Sequence, residues 1–146
     1  MVYRKDGPPN SGRPFIQVPD DLRSLQPPTI GDSPRLNEVL EAIRLLKTEV
    51  GDEAPIIGVA MSPFSLPVMQ LGFEAYLDLL LGDTGLLNHL LAVNEEFCVA
   101  WANAQLSAGA TAIVYFDPIS SSTMITPAQY RELGQPVAVR TLSRIQ

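Results

Sequence analysis

Apolar residues recur at every third or fourth position between residues 34 and 50, which predicts a helix with one buried stripe. Ser33 suits the N-cap of this helix, and Gly51 ends the pattern. A longer repeat of the same kind covers Thr84–Ala108. Gly109 follows it directly and predicts a left-handed cap, so the sequence predicts a second, longer helix there.

Two short apolar runs, PIIGVA at residues 55–60 and TAIVYF at residues 111–116, predict β-strands. The first run has no polar alternation, which predicts burial on both faces, as in a parallel sheet. Residues 63–81 are rich in large apolar side chains but contain Pro67 and Gly72. They predict a helix that is broken near the glycine.

Thr126, Pro127 and Gln129 form a capping-box pattern, which predicts a helix beginning at Pro127. Another short helix is expected over residues 136–145. Strands therefore alternate with helices, which predicts an α/β fold with parallel strands and flanking helices. This order fits a barrel or an open doubly wound sheet, but no G-x-G-x-x-G follows either strand, so a dinucleotide-binding fold gains no support.

The chain divides into two parts by composition. Residues 1–32 are rich in proline and glycine and are interpreted as a connecting segment, with brief ordered pieces at residues 14–18 and 21–25. Residues 33–146 carry the periodic apolar patterns and are expected to form the domain.

Composition narrows the classes of partner. The 146 residues are 46% apolar and carry a formal net charge of -6, with no basic run that could track phosphates, so no nucleic acid partner is expected. Cys98 is the only cysteine, which excludes an intramolecular disulfide and fits a cytoplasmic location. No apolar run is long enough for a membrane span, and no membrane association is expected.

Asp117 directly follows the second predicted strand, and barrel enzymes gather their catalytic groups at the carboxyl ends of the strands. This favours Asp117 as a catalytic carboxylate, although a loop-capping role is as well supported. Other residues after the two strands are candidate substrate contacts: Ser62, Phe64, Ser65, Ser120 and Ser121. Capping roles for Ser62 and Ser65 are an equally good interpretation.

Three other candidates are weighed against simpler roles. Met69 is a candidate substrate contact, but methionine in an apolar helical stretch is more often a core residue. His89 and Cys98 are nine residues apart in one helix, which does not suit a shared metal, so no metal ligand is expected in this chain. No histidine or acidic partner is spaced to activate Ser120 or Ser121, which argues against a serine hydrolase.

Two segments resemble motifs of the uroporphyrinogen decarboxylase superfamily. Residues 62–66, SPFSL, resemble the G-P-[FW]-T-L loop of that superfamily. Residues 105–133, QLSAGATAIVYFDPISSSTMITPAQYREL, resemble its Q-x-x-A-G-A-D-A-I-x-x-x-D and [IL]-S-P-x-x-[FY]-x-E-[FL] segments in order and spacing. The helix at residues 35–54 resembles the one that precedes the G-P-F-T-L strand.

The resemblance implies part of a (β/α)8 TIM barrel, a fold that needs about 250 residues. The chain is therefore expected to be a fragment, a split gene product, or a partial barrel that is completed by self-association or by a complementing chain, because unpaired strand edges must be covered.

Two activities of the superfamily compete. Its decarboxylases, which are lyases, remove acetate carboxyl groups from uroporphyrinogen without a cofactor. Its methylcobamide:coenzyme M methyltransferases move a methyl group from a corrinoid to a zinc-bound thiolate. Met69 stands where the decarboxylases carry a substrate-contacting tyrosine, and the Asp117-Pro118 loop is similar to the methyltransferase version. The resemblance therefore implies a small-molecule or corrinoid-protein substrate.

The zinc-binding His-x-Cys of the methyltransferases is absent from this sequence. No cofactor is therefore assigned to this chain, and zinc and a corrinoid partner are expected only in the full-length enzyme. Two further hypotheses stay open: a catalytically inactive barrel subunit, and a small flavodoxin-like binding module that rests on strand and helix order alone.

Overall fold

The computed structural model describes residues 2–4, 7–10, 14–17 and 19–146. Its strands, in chain order, are β1 (Val2–Arg4), β2 (Gly7–Asn10), β3 (Ile57–Met61) and β4 (Ala112–Phe116). Its helices are α1 (Pro19–Ser24), α2 (Pro34–Val50), α3 (Pro67–Leu71), α4 (Phe73–Leu81), α5 (Thr84–Ala108), α6 (Pro127–Gln129) and α7 (Gln135–Leu142).

The N-terminal part of the chain contributes to the core. Strands β1 and β2 pair antiparallel, and α1 covers most of the predicted ordered piece at residues 21–25. Ile16 and Leu22 are buried against Leu90 of α5. Val18, the end of the other predicted piece, lies outside the described residues. The predicted division of the chain after residue 32 stays a prediction.

Helix α2 matches the predicted pattern closely. The Ser33 side chain accepts a hydrogen bond from the Leu36 backbone N–H, and Pro34 occupies the first helical position. The buried stripe of the helix packs with the end of α5 and the strands through Leu40 and Ile43. The predicted helix is confirmed, and it ends at Val50.

Strands β3 and β4 form a parallel pair, as predicted. Ile57 lies opposite Ala112, and the register runs without interruption to Met61 opposite Phe116. Both strands therefore end at the same edge of the sheet. The loops after them must begin side by side.

Only one face of this pair is covered, which corrects the prediction that the first strand is buried on both faces. Gly58 and Ala60 face the helices, whereas the Ile57 and Val59 side chains are 51% and 53% exposed. Val114 and Phe116 continue the open apolar face. The run is uniformly apolar, but in the described residues helices pack against one face alone.

The helical region between the strands breaks where it was predicted to break. Gly72 has φ 87°, which separates α3 from α4. Helix α5 then runs for 25 residues from an Asp83 cap to Gly109, whose φ of 115° is the predicted left-handed cap. The buried apolar residues of the protein form three clusters, and α5 contributes to each of them. The residues of α5 that lie in these clusters or pack against them include Leu86, Leu87, Leu90, Leu91, Trp101 and Ala108.

The C-terminal helices begin with the predicted capping box. Thr126 accepts a hydrogen bond from the Gln129 backbone N–H, and the Gln129 side chain accepts one from the Thr126 backbone N–H. One turn of π-helix, Tyr130–Gly134, connects α6 to α7. Ion pairs then join the end of the chain to α5, because the nearly buried Glu95 contacts both Arg140 and Arg144.

None of the helices in the described part of the chain combines the length and apolar character that a membrane crossing requires.

We expect Gly109→Ala to destabilise the protein by about 1–3 kcal/mol, because an L side chain is strained at this φ. An added Cβ would also lie 2.9 Å from Cβ and Cγ of Lys47. Urea unfolding measures the change. Gly31→Ala is the control, since nothing lies within 4 Å of its Cβ position, and its effect should stay within about 0.5 kcal/mol. Equal effects of the two substitutions would contradict the assignment of a strained cap.

Candidate functional site

The candidate site is a cluster of hydroxyl groups around the Asp117 carboxylate at the ends of β3 and β4. Ser62 Oγ donates to Asp117 Oδ1 over 2.5 Å, and Ser65 Oγ donates to the same oxygen over 2.6 Å. Ser120 Oγ donates to Oδ2 over 2.5 Å. These distances are those of hydroxyl groups bonded to a charged carboxylate. We call these four residues the Asp117 cluster.

The backbone brings these side chains together. The Ser62 N–H donates to the carbonyl of Phe116 over 2.8 Å, which extends the strand pairing by one more bond. The Ser65 N–H donates to Ser62 Oγ over 2.9 Å, and the Ile119 N–H donates to Ser65 Oγ over 3.1 Å. The two loops are therefore held to each other through side chains as well as through the sheet.

Burial differs across the cluster. Ser62 and Ser65 are 0% and 1% exposed, whereas Asp117 and Ser120 are partly exposed. A carboxylate can accept about four hydrogen bonds, and the cluster supplies three of them. Among the described residues, no group donates to the remaining acceptor position, which is on Oδ2. The arrangement can therefore hold two loops in place and still accept one hydrogen bond from a bound molecule.

The predicted site residues separate into two groups. Ser62, Ser65, Ser120 and Asp117 come together, as their positions after the two strands suggested. Their roles in binding and catalysis stay predictions.

In the described part of the chain, Phe64, Met69 and Ser121 form no hydrogen bond with the Asp117 carboxylate. The Phe64 ring is 1% exposed and packs edge-on against Tyr76, with ring centroids 6.1 Å apart. Met69 is 46% exposed and lines a cavity of about 410 Å³ together with Phe97. Ser121 shares a hydrogen bond with Thr123 in the exposed loop. Met69 is thus a surface residue rather than a core residue, and its substrate contact stays a prediction.

Two tyrosines lie close enough to Asp117 to be affected by its charge, and the sequence analysis selects neither of them. The Tyr76 hydroxyl donates to the Phe64 carbonyl over 2.6 Å. Burial raises the pKa of Tyr76, and the negative charge of Asp117 adds to the increase. Burial and then Asp117 raise the pKa of Tyr115 in the same way. Tyr115 lies in β4 two residues before Asp117, and this spacing was the sequence signal that could have indicated its place near the carboxylate.

The Tyr115 hydroxyl is buried. It lies near the hydroxyls of Thr141 and Ser62. It forms no hydrogen bond with any group in the described part of the chain. His89 Nε2 is likewise buried without a partner among the described residues. The ring of this half-buried residue therefore turns inward.

Cys98 has the properties of a small buried hydrophobic residue. Its thiol is 2% exposed and donates to the Met61 carbonyl over 2.9 Å. Burial raises the pKa of the thiol to about 12. Within the described residues, no group of three His, Cys, Asp or Glu side chains is placed to hold a metal ion. The residues present therefore do not fit a zinc site.

We expect Ser62→Ala to destabilise the protein by about 1–3 kcal/mol, because it removes the buried hydrogen bond that Ser62 Oγ donates to Asp117 and the bond that Ser62 Oγ accepts from the Ser65 N–H. Urea unfolding measures the change. Ser122→Ala is the matched control in an exposed part of the same loop region and should change stability by less than about 0.5 kcal/mol. A Ser62→Ala protein as stable as the control would show that the cluster contributes nothing to stability.

Stability should fall above pH 9 in a way that depends on Cys98. Its folded pKa of about 12 lies above the ordinary value of 9.0. The contribution is therefore complete below about pH 9 and is lost as the pH rises toward 12, because only the unfolded thiol ionises in that range. Unfolding free energies measured at pH 8, 9 and 10 should decrease in the native protein and decrease less in Cys98→Ala. Parallel profiles would exclude this role for the thiol.

Comparison with known proteins places this geometry in a family. A sequence model described as uroporphyrinogen decarboxylase (URO-D) matches residues 1–146. The methylcobamide:CoM methyltransferase MtaA of Methanosarcina barkeri is 32% identical over 101 residues, which cover 69% of this chain and 30% of that protein. The uroporphyrinogen decarboxylase of Thioalkalivibrio sulfidiphilus is 33% identical over 140 residues, which cover 91% of this chain and 38% of that protein.

A solved structure supports the same assignment. A methyltransferase from Methanosarcina mazei matches with a TM-score of 0.80 and 25% identity, over 86% of this chain and 37% of that one. The chain thus spans about a third of the length of these relatives. The predicted fold class, an α/β part of a TIM barrel with parallel strands, is confirmed. The chain belongs to the uroporphyrinogen decarboxylase family.

Proposed function

We propose that this chain forms the part of a corrinoid-dependent methyltransferase barrel that carries the rim around Asp117. The reaction would transfer a methyl group from a methylcobamide to a thiol. The observation that carries the proposal is the Asp117 cluster, which joins two neighbouring strand ends at the face where barrel enzymes bind substrates. Similarity to MtaA and to the solved methyltransferase supports this reaction.

Asp117 would act in this site as a hydrogen-bond acceptor. Three of its acceptor positions are taken by the hydroxyls of Ser62, Ser65 and Ser120. A substrate donor would reach the remaining position on Oδ2, where the side chain is partly exposed. The hydroxyls would fix the orientation of the carboxylate, and that reduces the cost of ordering it when a substrate binds.

The other predicted contacts lie outside the Asp117 cluster. Ser121 belongs to the exposed loop after β4, and its hydroxyl could turn from Thr123 to a ligand. Met69 lines a cavity between α3 and α5, and no residue of the Asp117 cluster belongs to the lining of that cavity. Phe64 would act indirectly, since its ring is enclosed in the core.

Zinc and the corrinoid would be bound by other parts of the full-length enzyme or by a partner. The described side chains do not fit a zinc site, so no step of the reaction is assigned to a metal in this chain. A further barrel segment, in the same polypeptide or in a complementing chain, would cover the open apolar face of β3 and β4. The cytoplasm would be the site of action.

Uroporphyrinogen decarboxylation is the second candidate. The relative from Thioalkalivibrio sulfidiphilus covers more of this chain than MtaA does, at a similar identity. Met69 argues against this candidate, because the family resemblance places a substrate-contacting tyrosine there in decarboxylases. An inactive barrel subunit is the alternative if neither reaction depends on Asp117.

Exchange of the matching segment of MtaA for this chain would test the proposal, because the host protein supplies the rest of the barrel. The chimera should demethylate methylcobamide in the presence of the thiol, as followed by the visible spectrum of the corrinoid. Asp117→Ala in the chimera should slow the reaction by about tenfold or more, because it removes the substrate hydrogen bond together with the acceptor that holds Ser62, Ser65 and Ser120. Ser122→Ala is the control with an unchanged rate.

The same exchange in the decarboxylase separates the two candidates. Only chimeras that unfold cooperatively are compared. Methyl transfer without decarboxylation supports the first candidate, and decarboxylation without methyl transfer supports the second. Loss of both reactions in folded chimeras would contradict both enzyme proposals and favour an inactive subunit.

A further inference from the structure

The side chain of Gln105 binds both backbone groups of Val59. Gln105 Oε1 accepts a hydrogen bond from the Val59 N–H over 3.1 Å, and Gln105 Nε2 donates to the Val59 carbonyl over 3.1 Å. Gln105 is 2% exposed, so water does not compete for these bonds. A primary amide that donates and accepts in this way copies the hydrogen bonding of one residue in a neighbouring strand.

These bonds lie on the outer edge of β3, away from β4. The Ile56 carbonyl and the Ser62 N–H both point to β4, where they bond the Thr111 N–H and the Phe116 carbonyl. Backbone groups alternate sides along a strand, so Val59, at an odd number of residues from both, points to the opposite edge. That edge is where another strand would otherwise pair.

Neighbouring side chains of α5 bind the same edge. Trp101 Nε1 donates to the Val59 carbonyl over 3.2 Å, and the Cys98 thiol donates to the Met61 carbonyl. Gly58 makes the approach of the helix side chain feasible, because a Cβ at this position would lie 2.7 Å from Gln105 Oε1. Residues from three turns of one helix thus satisfy the exposed edge of the strand.

We propose that Gln105 takes the place of a neighbouring strand and closes the outer edge of β3 to strand pairing. Another strand, from this chain or from a second molecule, cannot pair at Val59 while the amide holds both backbone groups. Edge strands are sites of unwanted pairing, and covering them with side chains removes that hazard. A barrel that contains this segment therefore has its hydrogen-bond ladder interrupted beside Val59. This inference does not depend on the proposed reaction.

Amide hydrogen exchange of the full chain, followed residue by residue by NMR, tests the proposal. Gln105→Met keeps the length of the side chain but removes both hydrogen bonds. The Val59 amide should then exchange at least about tenfold faster relative to the Ala60 amide, which faces β4. Gln105→Glu retains an acceptor for the Val59 N–H and should keep most of its protection.

Gly58→Ala is a second route to the same result, because the added Cβ would lie 2.7 Å from Gln105 Oε1 and would displace the amide. The Cβ would lie equally close to Ile113 Cδ1 of β4, and the Ala60 amide reports any effect on the pairing with β4. It should also raise the exchange of Val59 relative to Ala60. Equal acceleration of both amides would indicate general destabilisation and overturn the proposal. Unchanged protection of Val59 in Gln105→Met, or equal loss in Gln105→Met and Gln105→Glu, would overturn it as well.

Discussion

The parallel pairing of β3 with β4 is the constraint on which the rest of the structure depends. Its register fixes Met61 opposite Phe116, so both strands leave the sheet at the same level. Ser62 and Asp117 are the next residues on each strand, and they meet for that reason. A shift by one residue would turn every side chain of one strand to the other face and would separate them.

Helix α5 holds this pairing in place from the covered side. One stretch of the helix supplies apolar residues to the core, and another supplies hydrogen bonds to the edge of β3 through Cys98, Trp101 and Gln105. Its Glu95 also binds Arg140 and Arg144 near the end of the chain. The same helix therefore contacts both β3 and the C-terminal end of the chain. These contacts fix the strand that leads into the Asp117 cluster.

Features that depend on neighbours in the sequence could be predicted. The caps at Ser33, Gly109 and Thr126 and the break at Gly72 result from local backbone chemistry, and the structure confirms each of them. The meeting of Ser62 with Asp117 was also predictable, because parallel strands end at one edge. The open face of Ile57 and Val59 was not, since an apolar run does not reveal which of its faces other elements cover.

Distant side-chain contacts account for the other differences. The inward position of Phe64, the exposure of Met69 and the binding of Gln105 to Val59 each depend on elements more than ten residues away.

The Asp117 cluster also bears on substrate choice. Its hydrogen bonds are supplied almost entirely by the chain itself, so the same cluster could support the rim of a barrel with either chemistry. The proposed choice between the two substrates would then depend on residues outside the cluster, and Met69 and Ser121 are predicted contacts of that kind.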